Sequence, residues 1–342
     1  MNKAFLFIVI LTLGNKGFTQ IPPGYYNAAE NLSGEPLRTA LYNIINDHSV
    51  KDYTSLWGYF QTTDNNGGIV WDMYTDNPSG SATYTYNFGS AQCGNYTSEG
   101  DCFNREHSFP KSWFNDALPM FSDLFHLYPT DGWVNGKRAN YPYGEVNSPT
   151  YISSNGSKLG ANVYPGYSGT VFEPIDAYKG DFARTYFYMV TRYKNVSSTW
   201  TSDMLIGDNL SDWAKTMLIS WDASDPVSQK EIDRNEAVYA IQGNRNPFID
   251  MPNWIDWIWG PTASVSVTGK SQLSMYNVDG LLRVNNISSK QVSLNIVNML
   301  GTTVKEISIQ QGESRIELDF PRGMYIATST IEGIVYSLKF VQ

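Results

Sequence analysis

One stretch of the chain gathers side chains that could hydrolyse a phosphodiester bond. Between positions 105 and 140 it contains, in chain order, Arg105, Glu106, His107, His126, Asn135, Arg138 and Asn140. This hydrolysis needs a base for the attacking water, a cation for the developing negative charge and a clamp for the non-bridging oxygens. The stretch supplies a residue type for each of these tasks.

The residue types suggest how the tasks are divided. His107 can act as the base, because an imidazole with a pKa of about 6.5 is partly neutral at working pH. Glu106 and Asn135 offer hard oxygen ligands, which suit Mg²⁺ better than zinc and also accommodate other hard divalent cations. Arg138 can clamp a phosphate with its planar fork of N–H donors. The sequence therefore predicts a one-metal phosphodiesterase site.

A short helix must position the second half of this site. Thr130 or Asp131 can cap a helix that follows Pro129. In such a helix Asn135 and Arg138 lie three positions apart and share one face. That face would present a metal ligand and a phosphate clamp together.

The first half of the site is harder to assemble. Neighbouring residues of a regular strand point to opposite faces, so Glu106 and His107 converge only if a bulge or a turn breaks the strand. The pair is otherwise structural, and Asn135 could equally cap or turn the chain. We expect His126 to be a packed residue behind the site and His48, beside Asp47, to lie at the surface.

The N-terminal segment predicts export. Residues 1–20 carry Lys3, an apolar run from Ala4 to Leu13 and no acidic residue, which is the pattern of a secretory signal peptide. No other stretch approaches the roughly 18 consecutive apolar residues that a transmembrane helix needs. We therefore expect a protein that is secreted or located at the cell surface and has no membrane span.

The two cysteines of the chain lie close together. Cys93 and Cys102 are separated by a loop rich in Gly, Asn and Ser. An oxidising compartment favours a disulfide bond that closes this loop. Two unpaired thiols are the alternative.

Composition divides the mature chain into two domains, residues 21–261 and 262–342. All ten tryptophans, all three histidines and both cysteines precede Pro261. The second part alternates apolar and polar residues, with glycines at turn-like intervals, and predicts a small all-β sandwich without catalytic groups.

The first domain is predicted to be mostly helical with a few short strands, so the predicted fold class is α+β. Apolar periodicity predicts helices over residues 36–46, 182–193, 208–220 and 226–242. Short strands are expected over residues 69–74 and 83–86. No internal repeat is visible.

The charge of the chain limits how a nucleic acid could bind. The formal net charge is −9, although nucleic-acid-binding proteins are usually basic. The balance argues against a broad phosphate-binding surface. A polyanionic substrate would have to be held by a few placed groups and a metal ion.

Three ordered blocks closely resemble the bacterial endonuclease I family. They are residues 104–113, residues 123–140 and residues 242–250, the last containing Arg245 and Asn246. The resemblance implies a ββα-metal (His-Me finger) core and cleavage that does not depend on the sugar, so that DNA and also RNA are substrates. It implies that His107 is the general base and that Glu106 and Asn135 hold Mg²⁺.

The resemblance is less specific about other positions. It implies that Arg138 is catalytic. It also implies a place behind the site or in contact with the substrate for five further residues, Arg105, His126, Asn140, Arg245 and Asn246. Two departures are Phe125 and Met251, where relatives often carry histidine. Neither touches the base or the metal ligands, although both could alter the hydrogen bonds around them.

The C-terminal part resembles the sorting domain of the type IX secretion system. The similar segments are 298–301, 322–326 and 339–341. The resemblance implies secretion machinery as a partner. A plain immunoglobulin-like adhesion or binding module is the alternative for this part.

Together these observations predict a secreted, monomeric, metal-dependent endonuclease that acts on DNA and also on RNA. One alternative is an exported adhesion or binding protein with an inactive nuclease-like domain. Another is a secreted ribonuclease or phosphodiesterase with a narrower substrate range. The presence of Glu106, His107 and Asn135 favours an active enzyme.

Overall fold

The computed structural model describes residues 21–260, 272–278, 281–298, 301–321, 323–331 and 334–341. The chain divides into two units, Met1–Gly260 and Pro261–Gln342. The predicted signal peptide, and Met299, Leu300 and Arg322 of the tail motifs, lie outside the described residues. Within these ranges no helix is both long enough and apolar enough to cross a membrane.

The first unit is built mainly from helices. They are α1 (Gly34–Ile45), α2 (Leu56–Thr63), α3 (Gly132–Arg138), α4 (Lys179–Arg192), α5 (Asp212–Ser224), α6 (Gln229–Gln242), α7 (Pro247–Asp250) and α8 (Asn253–Trp259). Helix α4 is buried along nearly its whole length and forms the centre of the core. The predicted helices correspond to α1, α4, α5 and α6, and α5 begins four residues later than expected because Ser211 precedes it in an extended conformation.

The strands of this unit are short. They are β1 (Asn65–Asn66), β2 (Ile69–Val70), β3 (Phe103–His107), β4 (Leu127–Asp131), β5 (Val146–Ile152), β6 (Lys158–Asn162), β7 (Thr170–Glu173), β8 (Leu205–Ile206) and β9 (Asn209–Leu210). They form antiparallel groups β1–β2, β3–β4, β5–β6–β7 and β8–β9. The mixture of helices and strands agrees with the predicted α+β class.

Two strand predictions were wrong, for identifiable reasons. The strand expected over residues 69–74 ends at Val70, because the Asp72 carboxylate accepts a hydrogen bond from the Tyr74 amide (2.8 Å) and turns the chain. Residues 83–86 form no strand. The alternating tyrosines there, Tyr84 and Tyr86, instead donate their hydroxyl hydrogen bonds to Asp131.

Strands β3 and β4 and helix α3 follow one another around the candidate site. The two strands pair antiparallel without a register shift, with Glu106 opposite Tyr128 and His107 opposite Leu127. Asp131 then caps α3 by accepting a hydrogen bond from the Val134 amide (2.8 Å). The predicted helix is therefore present, and Asp131 is its cap.

A single carboxylate fixes the segment between β3 and β4. Asp123 is fully buried and accepts hydrogen bonds from the Tyr188 and Tyr193 hydroxyls (both 2.8 Å). It also accepts hydrogen bonds from the Gln242 side chain and the Phe125 amide (both 3.0 Å). These bonds tie the segment to α4 and α6.

The predicted disulfide bond is confirmed. Cys93 and Cys102 are joined, with their Cα atoms 5.8 Å apart. The Cys93 amide also donates a hydrogen bond to the Phe103 carbonyl (3.1 Å), so the closed loop lies directly against the start of β3.

The second unit consists of antiparallel strands, as predicted. They are β10 (Leu273–Val278), β11 (Leu281–Asn286), β12 (Val292–Asn298), β13 (Thr303–Ile309), β14 (Gly312–Glu317), β15 (Met324–Ile331) and β16 (Ile334–Val341). Their sheet orders are β10-β11-β14 and β13-β12-β15-β16. Both sheets contribute to one apolar core, which contains Leu282 from the first sheet and Leu294 from the second. Gly301 and Gly312 have positive φ angles of 78° and 106°, which explains glycine at these turns.

Replacing Asp123 should test its importance for the fold. We expect Asp123→Ala to lose about 3 kcal/mol or more of unfolding free energy, because it leaves several buried donors without an acceptor. Urea denaturation at pH 7 measures this loss. Asp212→Ala, which removes a side chain that is 96% exposed, is the control and should change stability little.

The same carboxylate should give a pH signature. Burial raises the pKa of Asp123, but His48, His126 and the surrounding hydrogen bonds outweigh it and lower the pKa to about 2. An unfolded aspartate has a pKa of about 3.9, so the stabilisation is present above about pH 4 and is lost as the pH falls toward about 2. When the pH is lowered through this range, the unfolding free energy of Asp123→Ala should therefore fall less than that of the wild type. Equal losses in both proteins would contradict this assignment.

Candidate active site

Glu106 lies on the face of β3 that packs against α3. Its side chain is buried, and its Oε1 atom accepts hydrogen bonds from Arg138 Nη1 (2.9 Å) and the Tyr74 hydroxyl (2.8 Å). Burial raises the pKa of Glu106, and the charge of Arg138 and the hydrogen bond from Tyr74 oppose that rise. Among the described residues these hydrogen bonds reach only Oε1, so Oε2 is available to a further partner.

Asn135 lies on the same side as Glu106. Its Nδ2 atom donates a hydrogen bond to Asn104 Oδ1 (2.6 Å), which leaves the Asn135 carbonyl oxygen as an acceptor. Asn104 shares a strand face with Glu106 because the two residues are two positions apart. Sequence reasoning overlooked Asn104, although this spacing could have indicated it.

His107 occupies the opposite face of β3. Its ring is 6% exposed and stacks on the rings of Phe121 and Tyr53, with centroid distances of 5.2 and 5.7 Å. The Nε2 atom lies 3.1 Å from the Phe121 carbonyl oxygen. Because a carbonyl can only accept, Nε2 carries the hydrogen and Nδ1 carries the lone pair. Burial, aided by His126, holds the pKa of His107 well below 6.5, so the imidazole is neutral at neutral pH.

The structure does not bring the side chains of Glu106 and His107 to one side of the strand. Pairing with β4 is regular through both residues, so the bulge that would bring them together is absent from β3. The outer edge of β3 is not paired with a further strand along its length, however. Within the described ranges, β3 pairs along its length only with β4, and Gln92 bridges it at Phe103 alone. Arg138 binds the His107 carbonyl oxygen, so the edge is open, in the sense of unpaired, only before that residue. Groups from both faces border this open edge.

Arg138 does not lie where a phosphate clamp was expected. It is fully buried, and its guanidinium donates hydrogen bonds to the carbonyl oxygens of His107 (2.8 Å) and Ser108, in addition to Glu106. It also donates to the Tyr186 hydroxyl (3.2 Å). Arg138 thus fixes the carboxylate of Glu106 and the chain that leaves β3. It is a positioning residue with no exposed surface for substrate.

His126 and His48 are both buried. The Nε2 atom of His126 lies 2.6 Å from the Met120 carbonyl oxygen, and its ring centroid lies 5.5 Å from that of His107. This packed position behind His107 agrees with expectation. The expected surface position of His48 was wrong, because Arg192 donates hydrogen bonds to its Nδ1 atom (3.0 and 2.9 Å) and holds it inside.

The last sequence block supports the fold rather than the site. Arg245 pairs with Glu236 and with Asp250 (2.7 Å), and Asn246 caps α7 by accepting a hydrogen bond from the Phe248 amide (3.0 Å). Asn140 is exposed just beyond the end of α3. Arg105 is half-buried and shares the face of His107.

Residues 33–253 match the model of the Endonuclease I family. This chain belongs to the Endonuclease I family. As a member of that family it is an endonuclease. The match covers the helical first unit from α1 to the start of α8, and it includes every candidate site residue described above.

Related nucleases come from several bacteria. The extracellular ribonuclease of Bacillus amyloliquefaciens is 34% identical over 244 residues, 69% of this chain and 78% of the relative. Endonuclease-1 of Buchnera aphidicola is 31% identical over 128 residues, 37% of this chain and 44% of the relative. A periplasmic deoxyribonuclease of Aeromonas hydrophila is 29% identical over 131 residues, 38% of this chain and 48% of the relative.

Members of the Endonuclease I family are generally metal-dependent, and the oxygen atoms on the Glu106 face fit a hard cation. Oε2 of Glu106 and the amide oxygen of Asn135 receive no hydrogen bond from the described residues. Those residues contain no group of three or more His, Cys, Asp or Glu side chains that could hold a metal. A carboxylate and an amide, with water in the other positions, suit Mg²⁺.

Breaking the buried ion pair should reveal the structural role of Arg138. We expect Arg138→Met to lose about 3 to 5 kcal/mol of unfolding free energy, because it leaves the Glu106 carboxyl group buried without its counter-charge. Glu106→Gln added to this variant should recover part of the loss. Urea denaturation of the single and double variants measures the coupling. Lys137→Met on the same helix is the control, and additive losses would show that the pair is not coupled.

Proposed function

We propose that this Endonuclease I protein is a secreted enzyme that hydrolyses phosphodiester bonds in DNA and RNA. His107 activates the attacking water, and Glu106 and Asn135 hold Mg²⁺ or another hard divalent cation. Strands β3 and β4 with helix α3 form the ββα-metal core of the His-Me finger fold. The regular antiparallel pair followed by a capped helix supports this assignment.

The contact between His107 and the Phe121 carbonyl oxygen supports this proposal most directly. This contact places the ring hydrogen on Nε2 and the lone pair on Nδ1, and the buried ring stays neutral. The stacked Phe121 and Tyr53 rings hold the imidazole in one orientation. His107 is thereby prepared to take a proton from water at Nδ1.

The open edge of β3 offers a place for the substrate. A polynucleotide lying across this edge would have His107 on one side and Glu106 with Asn135 on the other. Side chains on opposite faces of a strand can then act on the same phosphate from two directions. The regular strand keeps the side chains of Glu106 and His107 on opposite faces. Binding across the strand edge does not require these side chains to converge.

The remaining groups would bind the cation or orient the side chains that bind it. A cation held by Glu106 and Asn135 would neutralise negative charge that develops on the phosphate and the leaving oxygen. Arg138 and Tyr74 bind the other oxygen of Glu106, so its carboxylate keeps one orientation. Asn104 does the same for the Asn135 amide.

Export is supported by the relatives and by the N-terminal sequence. Similar proteins are named extracellular ribonucleases and periplasmic or extracellular deoxyribonucleases. Residues 1–20 have the pattern of a signal peptide. We propose that the all-β second unit directs the chain to a type IX secretion apparatus, and that the enzyme acts as a monomer in the medium or at the cell surface.

The decisive assay uses the purified mature protein with plasmid DNA and with a long RNA. We expect endonucleolytic loss of both substrates with Mg²⁺, and no loss in EDTA. Cleavage of RNA alone would narrow the enzyme to a ribonuclease. Absence of cleavage of both substrates would favour an exported binding protein. Full activity in EDTA, with no residual metal, would contradict the metal site.

Two variants separate the base from the metal ligand. We expect His107→Ala to lose about 10²- to 10⁴-fold in rate, the usual contribution of a positioned acid or base, without a change in metal requirement. Asn135→Ala should instead require more Mg²⁺, so that added metal restores part of its rate. Initial rates across a Mg²⁺ titration measure both effects.

His48→Gln is the matched control, because this buried histidine makes its contacts with Arg192 instead of the proposed site. Its rate and metal requirement should resemble those of the wild type. The roles would be assigned wrongly if excess Mg²⁺ restored His107→Ala and left Asn135→Ala unchanged.

A further inference from the structure

We propose that Arg105, held in place by Tyr53 and Trp57, binds a substrate phosphate beside His107. This inference rests on the proposed function, because it assumes a nucleic-acid substrate at the open edge of β3. It assigns the phosphate contact to a residue other than Arg138, which is fully buried and whose two Nη atoms bind protein groups.

Arg105 and His107 are directed to the same side of β3. They are two positions apart on a regular strand, and such residues share a face. Tyr53 contacts both of them, since the Arg105 guanidinium carbon lies 3.7 Å from its ring centroid and the His107 ring stacks on it at 5.7 Å. A phosphate held by Arg105 would therefore lie next to the proposed base.

The guanidinium of Arg105 is fixed before any substrate arrives. Its Nη1 atom donates a hydrogen bond to the Tyr53 carbonyl oxygen (2.6 Å). Its carbon lies 4.6 Å from the Trp57 ring centroid, in addition to the contact with Tyr53. Because the rings and the carbonyl oxygen hold the side chain, less conformational entropy is lost when the remaining N–H groups bind an anion.

Arg105 has no carboxylate partner among the described residues, unlike most of the buried arginines. Arg138, Arg234 and Arg245 each pair with an acidic side chain. Among the described residues no carboxylate lies within ion-pair distance of Arg105, although the chain as a whole is acidic. Its positive charge therefore forms no ion pair among the described residues, and Asp52 attracts it only from a greater distance. A phosphate oxygen can supply the missing counter-charge and accept from the planar fork.

A surface cleft gives access to this guanidinium. The cleft has a volume of about 270 Å³ and is lined by Tyr53, Trp57, Cys93, Gly94, Asn104 and Arg105. Cys93 and Gly94 belong to the disulfide-closed loop, which lies against the start of β3. The cleft is thus bordered by β3, by this loop and by the two rings that contact Arg105.

The test measures binding without catalysis. A fluorescein-labelled single-stranded oligonucleotide of ten thymidylates is titrated with the full-length mature protein in EDTA, and fluorescence anisotropy is followed at several KCl concentrations. For single strands, the slope of log affinity against log salt changes by about 0.7 for each phosphate contact. We expect Arg105→Gln to bind about 10- to 100-fold more weakly and to reduce the slope magnitude by about 0.7.

Two further variants make this result specific. Lys215→Gln removes the same charge from a partly exposed position on α5 and should leave affinity and slope unchanged. Arg105→Lys keeps the charge but loses the planar fork, so it should retain the slope and bind more weakly than the wild type. It also provides the test if Arg105→Gln does not fold. Circular dichroism establishes folding for each protein.

The outcomes separate this inference from the proposed function. An unchanged salt slope in folded Arg105→Gln would overturn the phosphate contact, even if the wild type cleaves DNA and RNA. If Arg105→Lys is the only folded variant, binding as tight as that of the wild type would overturn it as well. A wild type that binds the oligonucleotide through Arg105 but cleaves neither substrate would support the contact and contradict the nuclease function.

Discussion

The site depends on the buried ion pair between Glu106 and Arg138, whose side chains are 2% and 0% exposed. A carboxylate in this position would lose its charge if it were unpaired, because burial disfavours the ionised form. Arg138 supplies the counter-charge from α3 and also binds the carbonyl oxygens of His107 and Ser108. One guanidinium thus links the face of β3 that carries Glu106, the end of β3 and the helix that carries Asn135.

The regular strand β3 divides the chemistry between its two faces. Glu106 faces α3 and the amide pair of Asn104 and Asn135, whereas His107 and Arg105 face the aromatic cluster around Tyr53. This arrangement separates a polar environment, where we propose that the metal binds, from an apolar one that keeps the imidazole neutral. Both environments border the open edge of β3, and we propose that a substrate lying along it engages the two faces together.

Local patterns made part of this arrangement predictable. Asp131 caps α3 as its position before the helix indicated, because capping depends on residues that are neighbours in sequence. The role of Arg138 was not predictable from the short sequence motif. The motif does not show that the Ser108 carbonyl oxygen and the Tyr186 hydroxyl accept hydrogen bonds from its guanidinium. A tertiary contact likewise explains why His48 lies inside, beside Arg192. Asp72, in contrast, ends its strand through a local hydrogen bond with the Tyr74 amide.

The proposed mechanism depends on Glu106 and Asn135 holding the metal on the side of β3 opposite His107. Anomalous diffraction from crystals of the mature protein soaked in Mn²⁺, a hard cation that can replace Mg²⁺, tests this directly. We expect one strong peak within coordination distance of Glu106 Oε2 and the Asn135 amide oxygen. A peak centred on a ring nitrogen of His107, with neither oxygen coordinated, would contradict it.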